Sequence, residues 1–335
     1  MRRHLAGVFA AVAAALALCA CGGSSSGHSR SAPTTHGVQP ASLMLDFTPN
    51  AIHAGIYTAI ARGYGRSNHV RLHVVVPGAS TDAISLLVGG RVNFAILDIH
   101  DLAIARQEGK PLVGVMAIVE RPLAAVVAAP RITSPRDLMG QTVGVTGDPS
   151  DLAVLRSEVA GAGGNPSRVK TVTIGYDAVA DLLSGRVAAA TAFWNDEGLT
   201  VRAARPGFHV FRVERYGAPP YPELVLCATR STVDHDPGLV RGVVHALVEG
   251  YQAVLRNPRA GAAALESQVS GLSARQVSQQ LAAELPAFRP PGGGQVGALV
   301  PAVLGRWARW EARFGIVRRV PDIGQMFTNR FLPGG

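Results

Sequence analysis

The chain has 335 residues and almost no lysine: among 32 basic residues only Lys110 and Lys170 are not arginine. Such an arginine excess suggests GC-rich coding more than a nucleic-acid footprint, because the arginines are scattered. Their best cluster, Arg306, Arg309 and Arg313, has helical spacing with Glu311 among it, which reads as a solvated helix face. Cysteine is equally scarce, at three residues. Two of them, Cys19 and Cys21, sit together near the start, so Cys227 stands alone in LVLCATR, without a disulfide partner or a metal cluster, and a buried, inert thiol is expected. Catalytic signatures are missing too. There is no GxSxG, HExxH or Walker loop, and no glycine fingerprint follows the first strand. His53, His69, His73 and His100 lack metal-ligand spacing. No metal, no cofactor and no catalytic residue is expected.

One long apolar run is present, Leu5–Ala20, preceded by Arg2, Arg3 and His4. Sixteen residues fall short of the roughly 20 that a membrane-spanning helix needs, and the charged start followed by an apolar stretch is that of an export signal. The run ends in Leu18-Cys19-Ala20-Cys21, followed by Gly22 and Gly23, which resembles a bacterial lipobox. Cys21 is the expected lipidation site, because Leu18 is too large for the position before Cys19. Cleavage there leaves 315 residues, and the net charge falls from +9 to +7 as Arg2 and Arg3 leave. Residues 22–40, rich in Gly, Ser, Thr and Pro, read as a tether of about 24 Å r.m.s. span. The expectation is a protein exported and lipid-anchored to the outer face of the cell membrane, which argues against a nucleic-acid partner.

From residue 43 strand-like and helix-like runs alternate. Strands are expected at 43–47, 70–76, 92–97 and 112–119, with helices at 52–63, 81–89 and 98–108 between them. This alternation implies an α/β fold of parallel βαβ units. A second series begins near 123, with strands in LAAVVAAP, TVGVTG, VKTVTIG and RVAAATAFW. The unit LLVGGRVNFAIL returns as LLSGRVAAATAF, which marks equivalent positions in two similar lobes. Residues 236–316 are helical by pattern, and Trp307, Trp310 and Phe314 form a core-facing stripe there.

Polar and aromatic residues crowd where strands end. Leu45–Tyr57, LDFTPNAIHAGIY, turns from strand to helix through Asp46, Phe47, Asn50 and His53. Such a strand end is where open α/β sheets bind ligands. Phe193-Trp194-Asn195-Asp196-Glu197 ends the second copy of the repeated unit, and Tyr216–Glu223 (YGAPPYPE) precedes the LVLC strand. Asp98-Ile99-His100-Asp101 follows the first copy. If these converge, Trp194, Tyr221 or Phe47 would stack on a planar heterocycle, and Asp46, Asn50, Glu197 and Glu223 would bond its edge. Packing of the aromatics and capping by the carboxylates explains the same spacing equally well.

LDFTPNAIHAGIYTAIARGY resembles the opening of the thiamine-pyrimidine-type substrate-binding proteins of bacterial ABC importers. The resemblance continues through ARQEGKPLV, AAATAFWNDEG, YGAPPYPELVL and GQMFTNRFL, across nearly the whole mature chain. It implies a two-lobed periplasmic-binding-protein-like fold of type II, each lobe a mostly parallel sheet flanked by helices, with a helical C-terminal part. The lobes would comprise 41–128 with 225–335, and 129–224. It also implies a monomer with an ABC permease and ATPase as partners. The ligand would be a pyrimidine precursor of thiamine, or a sulfonate, nitrate or riboflavin-like compound. Carried over by motif, the substrate-binding residues are Asp46, Phe47, Asn50, His53, Tyr57, Asp98, Trp194, Asn195, Glu197, Tyr221 and Glu223. Phe47 stands where the family has tryptophan. The family also holds pyrimidine synthases with a lysine and a histidine near Leu97–Asp101. This chain has Leu97 and Asp101 at those places, so Schiff-base chemistry lacks its lysine there and a binding protein is expected.

Overall fold

The computed structural model describes residues 37–78, 82–148 and 150–334. The expected export signal, Cys21 and the tether up to residue 36 lie outside them. Residues 37–335 form one compact unit.

Among the described residues ten strands form two five-stranded sheets. The first contains β1 (Gln39–Met44), β2 (Val70–Val75), β3 (Phe94–Asp98), β4 (Leu112–Val119) and, from much later in the chain, β10 (Leu224–Thr229). The second contains β5 (Ala124–Ala128), β6 (Thr142–Val145), β7 (Lys170–Thr173), β8 (Ala189–Phe193) and β9 (His209–Arg212). Their orders, β2-β1-β3-β10-β4 and β7-β6-β8-β5-β9, are the same pattern twice. In each sheet four strands run one way, as the βαβ alternation requires. A fifth, β10 or β5, is inserted antiparallel between its third and fourth members. The repeated Gly-Arg-Val unit lies before β3 and before β8, which hold the same place in the two patterns. β5 belongs to the second sheet, although the expected boundary fell after it at residue 128. β1 likewise begins at Gln39, inside the expected tether.

The first sheet is buried on both faces. On one face lie helices Ala54–Ala61, Pro237–Arg256, Pro258–Glu266 and Ala274–Glu284. On the other lie Ile99–Gln107 and Pro301–Arg313. Every residue of β4 is buried although β4 is an edge strand. The closing segment explains this: Phe327 bridges to Gly114, and the Thr328 N–H donates to the Gly114 carbonyl at 3.0 Å. Covering an edge in this way removes a template for aggregation. Trp307 is fully buried with its ring edge-on to Phe327, and Trp310 and Phe314 pack beside it, as the stripe led one to expect. Cys227 is fully buried in β10, where burial pushes its thiol well up and leaves it unreactive.

Helix Pro237–Arg256 fixes the stretch after β1. Tyr251 donates its hydroxyl to the Ile52 carbonyl at 2.9 Å. A Cβ on Gly250 would stand 2.1 Å from the Gly55 carbonyl oxygen, so the two helices touch backbone to backbone. Gly250→Ala should therefore destabilise the protein by about 1–3 kcal/mol, in the range of overpacked cores, read as a lowered midpoint in urea.

Candidate functional site

The carboxyl ends of β1 and β3 face those of β6 and β8 across a cavity of about 500 Å³. That volume lies inside the usual range for small-molecule sites of about 300–1,000 Å³.

β1 supplies Asp46 and Phe47 as it ends. Asn50 then caps the turn Ala51–His53: its side-chain oxygen accepts the Ile52 N–H at 3.0 Å. The His53 Nδ1 accepts the Asn50 N–H at 3.1 Å, which leaves the ring proton on Nε2, 3.0 Å from Asp46 Oδ1. His53 is thus fully buried and aims Asp46 into the cavity instead of lining it. Phe47 meets Tyr176, which follows β7, with ring centroids 4.3 Å apart. The two rings bridge the lobes at the cavity.

Among the described residues three helices of eight residues or more begin at the cavity, and each start carries a carboxylate of its own. Asp98 caps Ile99–Gln107 by accepting the His100 N–H at 2.7 Å. Asp151 opens Asp151–Gly161 and accepts the Thr146 hydroxyl at 2.7 Å. Glu197 opens Glu197–Ala204 and accepts the Phe193 N–H at 3.1 Å. Asp101 accepts the Ser150 N–H at 3.1 Å, a hydrogen bond from one lobe to the other. Asp82, Asp148 and Asp196 complete the acidic lining, with the aspartate of β1 already described. Among the described lining residues Lys110 alone carries positive charge, and it pairs with Glu108 at 3.1 Å with its side chain 36% exposed. Burial first, and neighbouring carboxylates after it, push Asp98 and Asp101 well above the usual carboxylate range and Glu197 up to about 8. Asp148, Asp151 and Asp196 are raised for the same first reason.

The other expected binding residues go elsewhere. Tyr57 packs into the first lobe's core. Trp194 donates from its indole nitrogen to the Pro122 carbonyl at 3.0 Å, beneath the Arg212 guanidinium. Asn195 donates to Glu284 at 2.7 Å. Tyr221 is fully buried against His100 and Trp310. Glu223 is fully buried, and its Oε2 accepts the N–H groups of Leu123 and Ala124, the latter at 2.9 Å. Residues 120–123 and 217–223 are the two crossings between the sheets, so Trp194 and Glu223 bind the hinge. Asn50 contributes indirectly, through its side-chain N–H to Asp196 at 3.0 Å. Motif position had placed these residues near the cleft without distinguishing its lining from its hinge.

Sequence reasoning missed Tyr176, Asp101, Asp148, Asp151 and Lys110 as lining residues. A signal existed: TVGV-TGDPSD ends β6 as SLML-DFTPN ends β1, and the two strands hold the same place in their sheets.

Asp98, His100 and Glu223 offer one ligand atom each within 4.8 Å of one another, the donor types of a cation site. His100 already serves as the cation there. Burial alone would lower it, but Glu311, in contact with Nδ1, together with Asp98 and Glu223 overrides that and lifts the ring to about 10. Removing the Glu223 carboxylate would orphan two buried N–H groups and leave His100 less compensated. Glu223→Ala should cost about 3–5 kcal/mol of stability, measured by denaturant titration.

Known proteins agree with this architecture. The NMT1/THI5-like family model matches residues 50–261. A formylaminopyrimidine-binding protein of Halalkalibacterium halodurans is 32% identical over 64% of this chain, and the match spans 66% of that relative, just under two thirds of its length. The riboflavin-binding protein RibY of Chloroflexus aurantiacus is 28% identical over 89% of this chain and 87% of its own. A 4-amino-5-hydroxymethyl-2-methylpyrimidine phosphate synthase of Legionella pneumophila is 22% identical, covering 87% of this chain and 92% of its own. Among solved structures, the alkanesulfonate-binding protein SsuA of Xanthomonas axonopodis pv. citri, bound to MOPS, superposes with a TM-score of 0.68. It does so at 16% identity, over 88% of this chain and 99% of that one, so the two share the two-lobed binding-protein fold. With the family model spanning well over half of it, the chain belongs to the NMT1/THI5-like family.

Proposed function

We propose that this protein is the extracytoplasmic solute-binding component of an ABC importer, and that it binds a small aromatic heterocycle rich in N–H donors, of the pyrimidine type. One observation carries the reading: a cavity between two lobes, closed over by the Phe47–Tyr176 ring pair and walled by carboxylates. A flat ring fits against aromatic faces, and amine hydrogens meet acceptor oxygens. The formylaminopyrimidine-binding relative supports the same class.

Sulfonate and nitrate are the weaker alternatives. Proteins hold such anions on free helix N-termini, and here those starts already carry Asp98, Asp151 and Glu197. The same acidity argues against an enzyme using pyridoxal phosphate, whose phosphate would be repelled. Lys110, the lysine at this cavity, is half-exposed and paired. The partners are a membrane permease, which would recognise the lobes in their closed arrangement, and its ATPase. The protein acts as a monomer held to the outer face of the membrane through Cys21. No helix among the described residues is long and apolar enough to cross a membrane, in keeping with an anchor outside the folded body.

A thermal-shift screen tests the ligand class: an aminopyrimidine should raise the melting temperature by several degrees, and alkanesulfonates and nitrate should not. The reverse pattern would leave only the importer class. Phe47→Ala with Tyr176→Ala should weaken binding by about 1–3 kcal/mol, the scale of lost ring contacts. For the anchor, Cys21→Ala should move the protein from the membrane fraction into the medium; continued membrane retention would rule the anchor out.

A further inference from the structure

The cavity's charge goes further than its shape. Lobe one presents Asp46, Asp98 and Asp101, with Asp82 beside them, and lobe two presents Asp148, Asp151, Asp196 and Glu197. No arginine lines the cavity among the described residues, and Lys110 is already paired. His53 stands behind Asp46, with Nδ1 on the Asn50 N–H and Nε2 on the Asp46 carboxylate. Tyr176, the remaining titratable lining group, is held protonated, with burial and the carboxylates of Asp148 and Asp46 lifting it to about 12. Some of these oxygens are used internally: Asp98, Asp151 and Glu197 bond nearby donors, and Asp196 is held by Asn50 and Gln280. Asp46 Oδ1 meets His53 and Asp148 Oδ2 accepts the Thr146 hydroxyl, which leaves each carboxylate one oxygen for the cavity, and the two groups repel each other from opposite lobes. Each lobe therefore brings negative charge against negative charge as the cleft closes.

We infer that the cleft selects a heterocycle bearing a positive charge, and that the ligand's charge is what lets the two acidic walls come together. The inference rests on the importer reading and narrows its ligand. A cation between the walls replaces repulsion by two attractions, so it links the lobes electrostatically as well as sterically. A neutral ring of the same shape fills the cavity but leaves the walls repelling. Because burial makes Asp98, Asp101, Asp148, Asp151, Asp196 and Glu197 hold protons more tightly than ordinary acids, a cation should also expel protons as it binds.

The test compares an aminopyrimidine bearing a quaternary pyridinium arm with its uncharged phenyl isostere, by calorimetry on the purified protein at about pH 8. The charged compound should bind at least about tenfold tighter, equivalent to about 1.4 kcal/mol, and its binding enthalpy should vary with buffer as protons are released. Its affinity should fall towards about pH 5, where protonation neutralises the walls. Small-angle scattering of the free protein should show the opposite trend, a smaller radius of gyration at the lower pH. Asp46→Asn with Asp148→Asn, one change in each wall, should abolish the preference for charge and compact the free protein at the higher pH. Equal or tighter binding of the neutral isostere, or a pH-independent radius, would overturn the inference while leaving the importer reading intact. If neither compound binds and simple aminopyrimidines also fail, the importer ligand class itself is wrong.

Discussion

Two crossings between the lobes must lie side by side, and Glu223 is the group that holds them there. It belongs to the returning crossing and accepts the backbone N–H groups of Leu123 and Ala124 in the outgoing one. A carboxylate bonded to backbone donors inside the protein is strongly directional, because leaving either partner unpaired is costly. The rest follows from that join. β5 starts directly after the outgoing crossing and β10 directly after the returning one, so each enters its sheet against the direction of its neighbours. The four strands of each sheet that run one way are then left pointing their carboxyl ends at the same cleft.

Helices follow such strand ends, and their first turns favour negative charge. Where such turns are free they can hold a bound anion. Here the chain fills them from within, with Asp98, Asp151 and Glu197. The same residue type therefore stabilises the helix starts locally and makes the cleft acidic globally. This is why local capping and ligand chemistry could not be separated from spacing alone: Asp98 and Glu197 bond donors at the helix starts and line the cavity at the same time.

Much of the fold was legible. β-branched runs separated by capped helices announced the α/β class, and the doubled Gly-Arg-Val unit marked equivalent strands that prove to be β3 and β8. The reversed strands were not legible, since LAAVVAAP and ELVLCATR look like any buried strand and nothing local records direction. At the site, Asp46, Phe47, Asp98 and Glu197 were expected to bind and do line the cavity. Tyr57, Trp194, Tyr221 and Glu223 were drawn from equally polar or aromatic motifs but serve the core and hinge. Strand ends and crossings are adjacent in sequence, and only packing decides which side chain turns inward. Asp148 and Tyr176 were hidden for another reason: the turn after β6 carries no aromatic to mark it as Phe47 marks the turn after β1, and Tyr176 stands apart from the polar-aromatic clusters.

Magnitudes decide how such a cleft behaves. The contacts that join the lobes at the cavity include the Phe47–Tyr176 pair, worth about 0.5–1.5 kcal/mol, and the hydrogen bonds of Asp101 with Ser150 and of Asp196 with Asn50 and Gln280, each worth about 1.5–3 kcal/mol when charged. Two carboxylates about 8 Å apart at an effective dielectric of about 20 repel by about 2 kcal/mol, and Asp46 and Asp148 repel each other in this way from opposite lobes. Repulsion of that size offsets a substantial part of those closing contacts, so the charge of the walls weighs on the shut form. Protonation of a few walls, or a cation between them, tips the balance. The elevated Glu197 and its neighbours already show part of this response, since holding a proton is how a buried acidic wall lowers its own charge. A binding protein must distinguish loaded from empty for its transporter, and a barrier made of like charges makes closure depend on the cargo.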